Sequence, residues 1–295
     1  MEAVIGHVLG VILPVILCVL VGYALALLKL PFDNKVMATL LANVGYPALI
    51  VSHLSKQHVP LGAFMEMMLA VLAVVICFAL IGSIFLLLMG LPLRAYFIPN
   101  MLNNAGNIGL PVCALALGNQ GMAYAMAFVI VILIISFTVG TWVPMGKITL
   151  GDVFRKPVIY AVILAIALMA TQARLPLPID SAFDILGGFA IPLMLITLGH
   201  TLATLNLGML WQGVGLAFLH LLMAAGVAFG LLHVFEFEGV PRGVFILMCM
   251  MPVAVTPYLW VELYDPDDAP GVASFILVST LLAIIVLPLV LTFWI

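Results

Sequence analysis

Apolar stretches long enough to cross a lipid bilayer follow one another through this sequence with short polar breaks between them, and that pattern leaves few folds open. Reading breaks from charges, prolines and polar clusters places spans at 4–28, 36–54, 64–90, 94–117, 121–142, 157–173, 182–202, 209–234, 242–263 and 271–294. About 20 apolar residues suffice for a helix through a hydrocarbon core about 30 Å thick. Lipid offers the backbone no hydrogen bonds, so such segments are helices. The expected fold is an all-α integral membrane protein with ten spans. Only 7% of the 295 residues are charged, which excludes a sizeable soluble domain. The first stretch lacks a basic flank and is too long for a signal peptide core, so it is expected to remain as a span.

Other chemistry is excluded in the same way. The net charge of −3 comes with no basic run that would neutralise phosphates, so nucleic acid is not an expected partner. Cys18, Cys77, Cys113 and Cys249 lie far apart in apolar stretches without metal-ligand spacing, so no disulfide, metal or cofactor is expected. Phosphate-loop, HExxH, GxSxG and GxGxxG motifs are missing, which argues against an ATP-driven pump or an enzyme.

The two halves share punctuation. Leu30-Pro31 and Leu175-Pro176 stand 145 residues apart, as do Pro47 and Pro192. Pro111 and Pro257 stand 146 apart, Gly121 and Gly271 150 apart, and Arg94 and Arg242 each open the fourth span of a half. This predicts a first five-helix repeat at 1–143, a short linker at 144–156 containing Lys147, Asp152, Arg155 and Lys156, and a second repeat at 157–295. Five is odd, so the second repeat enters the membrane from the opposite side, the inverted topology of secondary transporters. With both termini outside, six basic residues (Lys29, Lys35, Arg94, Lys147, Arg155, Lys156) fall in cytoplasmic loops and three (Lys56, Arg174, Arg242) outside, the sense that the positive-inside rule favours.

Two spans are interrupted at matching places. The fourth carries Asn100, Asn103, Asn104 and Asn107 among Gly106, Gly109 and Pro111; in the ninth, Pro252 and Pro257 bracket Val253–Thr256. Paired interruptions point to a transporter's binding site. Pro111 and Pro257 suit the first turn of a second half-helix, where a missing N–H costs nothing. Gly109 and Leu110, like Thr256, are then expected to offer a positive helix start to a carboxylate. The asparagines either bind substrate or cap the broken ends. His220, midway along the eighth span, is a titratable group at membrane depth: a proton relay, or a neutral histidine bonded to a neighbouring helix. Glu66, Asp184, His200 and Glu262 fall near span ends, where water and headgroups account for them.

The stretches VGYPALIVSHLS, NNAGNIGLPVCALALG, LMLITLGHTLA and MPVAVTPYLW with GVASFILVSTLLAIIVLP resemble the auxin efflux carrier family, which groups plant auxin transporters with shorter bacterial, malonate-type carriers. The resemblance spans nearly the whole chain. It implies two inverted five-helix repeats with spans 4 and 9 crossing at their breaks, an elevator-like motion, and a small organic anion such as a mono- or dicarboxylate as cargo. It further implies that Asn104 contacts substrate and that Tyr46 lies beside the same pocket; Asn43, Asn103, Asn107, Gly109 and Thr256 are the accompanying candidates. The long hydrophilic central loop of many plant members is missing, which implies a minimal form in a bacterial inner membrane. Bile acid sodium symporters share the fold, but the second break here lacks acidic and amide side chains, so sodium coupling is not expected. The remaining reading from another class is a membrane-embedded sensor or scaffold that binds a ligand without moving it. Lipid is an expected partner, and a homodimer is compatible with the sequence, which fixes no oligomeric state.

Overall fold

In the computed structural model, residues 2–56, 59–145, 151 and 154–294 are described; Lys147 and Asp152 of the expected linker lie outside them. The described chain is helical, with no strand beyond one isolated bridge. In order, α1 is Glu2–Leu27, α2 Asn34–Leu40, α3 Tyr46–Leu54, α4 Leu61–Leu88, α5 Leu93–Met101, α6 Leu110–Phe137 and α7 Val139–Met145. There follow α8 Pro157–Thr171, α9 Leu177–Gly188, α10 Ala190–Thr204, α11 Leu210–Phe235, α12 Gly239–Cys249, α13 Thr256–Tyr264 and α14 Ala269–Phe293.

Seven continuous helical stretches among the described residues are long and apolar enough to cross a membrane, which makes this a multi-pass integral membrane protein. The longest, Ala105–Phe137, has 33 residues, about 50 Å of helix and well beyond the hydrocarbon thickness. It turns at Gly118, whose φ of 64° and ψ of −158° belong to no helix and are open to glycine without a Cβ penalty. Pro157–Thr171 and Gly239–Cys249 are apolar but shorter. Leu9, Leu13, Leu17 and Leu20 on α1, and Leu69, Leu80 and Leu87 on α4, are half exposed or more; in water this would be an aggregating surface, and in lipid it is the outer face.

A proline explains one of the irregularities in these helices. Pro47 cannot donate to the carbonyl four residues back and its ring crowds it, so α2 passes into α3 through a π turn at Leu41–Gly45. The seventh expected span is bent between α9 and α10 around Phe189 and begins at Leu177, earlier than its sequence boundary. The fifth is broken late, at Thr138, where φ is −103° and ψ −83°.

Packing joins the ends of the sequence to its middle. Helix α1 lies along α10, α11 along α14, and α3 against α8 and α9. The α1–α10 approach is the tightest of these: a Cβ at Gly22 would stand 1.9 Å from the Ile196 carbonyl oxygen, and one at Gly199 1.8 Å from that of Val19. Two sets of polar contacts mark opposite ends of α4. Beyond its start, the Lys56 ammonium pairs with Asp180 at 3.2 Å and with Asp184, whose carboxylate also accepts from Ser52 Oγ at 2.5 Å. Beyond its end, Arg94 pairs with Asp265 at 3.2 Å, and Gln212 donates to Tyr96 Oη at 3.3 Å.

Candidate substrate site at two interrupted helices

Both interruptions expand into extended chain, and they meet. Helix α5 stops at Met101 and Leu102 turns to φ −108° and ψ 123°. Helix α12 stops at Cys249, and the chain continues through Pro252 without helix until α13 begins at Thr256. Asn103 faces Val253 in an antiparallel bridge. The Asn104 amide donates to the Pro252 carbonyl at 2.7 Å, and the Ala254 amide donates to the Leu102 carbonyl at 2.8 Å. Backbone groups freed in the two broken helices thus satisfy one another, which is what buried irregular chain requires.

The facing residues 103 and 253 stand 150 apart, whereas Pro111 and Pro257 stand 146 apart. The four additional residues in the first break are taken up by a π turn at Ala105–Gly109, followed by α6 with Pro111 in its first turn. The second break enters α13 directly, with Pro257 in the first turn. Polar side chains follow this asymmetry: the π turn carries Asn107, while the second break is lined by Met, Pro, Val and Ala.

The asparagines divide by role. Asn103, 2% exposed, donates through Nδ2 to the carbonyls of Met248 at 3.0 Å and Cys249 at 2.8 Å, closing the C-terminal end of α12. Asn103 is therefore a cap, acting across the two halves of the chain. Asn104 is 3% exposed and its Nδ2 has no hydrogen-bond partner. Asn107 is half-buried and its Oδ1 accepts from Tyr46 Oη at 3.4 Å, a long bond. Gly106 completes that corner: a Cβ there would stand 2.5 Å from Tyr46 Oη. Gly106, Asn107 and Tyr46 therefore meet at the crossing, with Asn104 two residues before Gly106 in the chain.

Other expected site residues are placed differently. Asn43 is exposed, and its side chain donates to the Thr39 carbonyl at 2.9 Å one turn back. The Gly109 and Leu110 amides do not point free toward the centre: Gly109 donates to the Asn104 carbonyl at 3.2 Å and Leu110 to that of Ala105. The π turn moves the open helix start back to the amides of Gly106 and Asn107, which have no preceding turn to bond to. Gly109 instead packs against Met248, whose Sδ lies 2.5 Å from where a Cβ would stand. Thr256 does begin α13 and is exposed there.

His220 on α11 is 4% exposed, with its ring edge-on to Phe78 at 5.4 Å and Phe275 at 5.9 Å. Neither ring nitrogen makes a hydrogen bond of ordinary geometry, but the main chain of Asn100 on the neighbouring α5 approaches the ring. Asn100, 6% exposed, packs against Gly82 of α4, where a Cβ would stand 1.8 Å from its Nδ2. Sequence reasoning did not find the Lys56–Asp180–Asp184 cluster, because its partners are over 120 residues apart and each alone reads as a span-end charge. No group of side chains suited to a metal ion occurs among the described residues.

Comparison with known proteins gives this geometry its context. Residues 141–291 match the model of a family described as membrane transport protein. An uncharacterized transporter of Methanocaldococcus jannaschii is 24% identical over 95% of this chain and 97% of its own. An uncharacterized transporter of Methanothermobacter thermautotrophicus is 27% identical over 94% of this chain and 95% of its own. The protein is a transporter and not an enzyme, and the chain belongs to the membrane transport family of the auxin efflux carriers.

Proposed function

We propose that the protein is a secondary active carrier that moves a small organic anion, a mono- or dicarboxylate, across the membrane by an elevator-type alternation, with substrate held where the two interrupted helices cross. The observation that carries this reading is the reciprocal pair of main-chain bonds, Asn104 to Pro252 and Ala254 to Leu102, beside two helix starts at the π turn and at Thr256. Each start bears about half a positive charge. A carboxylate there accepts from Asn104 Nδ2 and the Gly106 and Asn107 amides, with Tyr46 closing one side. Amides and dipoles attract an anion without a fixed counter-charge, so release remains feasible.

The same reading gives ten spans. Dividing α6 at the Gly118 turn and counting each interrupted or bent helix as one crossing yields five per half, in two inverted repeats joined at 144–156. The alternate ends of α4 then lie on opposite sides of the membrane, with Lys56, Asp180 and Asp184 outside and Arg94 and Asp265 in the cytoplasm. Both termini are outside, and the setting is a bacterial inner membrane.

A panel of mono- and dicarboxylates applied to reconstituted protein on a solid-supported membrane, alongside labelled-substrate flux, tests the proposal. At least one acid should give saturable flux. Binding without flux in correctly oriented, reconstituted protein would instead identify a sensor.

A further inference from the structure

On the side of the second break formed by α11 and α14 lies a small, partly open space. Its wall includes His220, Met250, Met251, Pro252 and Ser279, and its volume is about 10 Å³, room for about one water. His220 is more than nine-tenths buried; the Asn100 main chain approaches its ring outside ordinary hydrogen-bond geometry, and no side chain bonds either ring nitrogen. A buried imidazole left so is costly, whereas a water there gains polar partners on several walls. Ser279 connects this space to the crossing. Its Oγ donates to the Ile276 carbonyl at 3.0 Å and accepts from the Val253 amide at 3.3 Å, and Val253 is the residue that faces Asn103. Pro252, also in the wall, is the residue whose carbonyl holds Asn104.

The groups that face His220 from each packed element are uncharged. They are the Phe78 ring on α4, the Phe275 ring and Ser279 hydroxyl on α14, and the main chain of Asn100 on α5. The thiols of Cys77 on α4 and Cys249 on α12 are not in the wall of the space; Glu66 lies in the second turn of α4 and Arg242 in the first of α12. No carboxylate or ammonium lines the space.

We infer that this space is the carrier's proton-coupling site, in which His220 takes up one proton through a single water hydrogen-bonded to Ser279, so that the anion and the proton cross together. The inference rests on the carrier reading above. Neutral imidazole has one donor and one acceptor nitrogen, and imidazolium has two donors. Protonation therefore turns the water to accept from His220, and its hydrogens are redirected toward Ser279 and the main chain of the break. A positive charge then stands behind the crossing while a carboxylate sits before it. Either charge buried alone is strongly disfavoured and the pair much less so, which ties uptake of one to uptake of the other.

The test is accumulation of labelled malonate, and of the other acids that give flux, into proteoliposomes with the membrane potential clamped and protein-free liposomes as the blank. With one proton per anion, a one-unit pH gradient, alkaline inside, should sustain about tenfold accumulation. His220→Gln, close in size and unable to titrate, should keep equilibrium exchange and lose accumulation. Should that variant lose exchange through misfolding, Ser279→Ala is the second probe and should cut accumulation at least about threefold. Exchange without accumulation in the wild type overturns the inference and leaves the carrier reading standing. Tenfold accumulation retained in His220→Gln, or unchanged accumulation in Ser279→Ala, does the same. Absence of exchange for every acid in the wild type overturns both.

Discussion

Four asparagines within eight residues look alike in the sequence, and their surroundings separate them. Asn103 gives both its amide hydrogens to carbonyls at the end of α12, so Asn103→Ala takes the side-chain donor from Cys249 and leaves Met248 with only main-chain donors. The expected loss is about 1–3 kcal/mol of stability, read as a lower melting temperature in detergent. Asn104→Ala removes a buried Nδ2 that has no partner, so it should melt within about 1 kcal/mol of the wild type. A second residue-scale test concerns Tyr46. Gly106→Ala places a methyl against Tyr46 Oη and should cost about 1–3 kcal/mol; combined with Tyr46→Phe, which removes that oxygen, most of the loss should return. Equal losses in the single and double variants would contradict this packing. That these asparagines stood beside a paired break was legible from composition. Which of them caps was not, because the carbonyls that Asn103 closes lie 145 and 146 residues away.

At the scale of elements, the apolar runs and prolines located both breaks because lipid permits few alternatives to continuous helix. The π turn at Ala105–Gly109 had no such signal: nothing in AGNIG distinguishes a five-residue turn from the first turn of α6, yet it decides which amides are open. The bend at Phe189 was equally silent. Helix packing makes its own prediction at Lys56. Burial opposes that charge, but its hydrogen bonds to Asp184 and Asp180 outweigh the opposition and hold the ammonium above the usual lysine range. A folded-state value raised in this way gives stability that is full at neutral pH and fades as pH rises through the lysine range. The pairs are partly exposed, so Lys56→Met should cost no more than about 1 kcal/mol, and less at high salt. A melting shift independent of salt would argue against an electrostatic tie between α3 and α9.

For the molecule as a whole, the crossing is reciprocal: the first half of the chain donates one amide and accepts one, and so does the second. The orientation proposed for it is testable without substrate. A single cysteine replacing Lys56 should react with an impermeant thiol reagent in intact cells, and one replacing Asp265 only after permeabilisation; the reverse pattern inverts the topology. The central claim is that an anion is carried at the crossing with Asn104 as its ligand. It is tested most directly by labelled-carboxylate flux in proteoliposomes containing the wild type or Asn104→Ala, each shown by its melting temperature to be folded. Loss of a hydrogen bond to a charged ligand predicts an affinity about 10- to 100-fold weaker in the variant. Flux with unchanged affinity in a folded Asn104→Ala protein would contradict it.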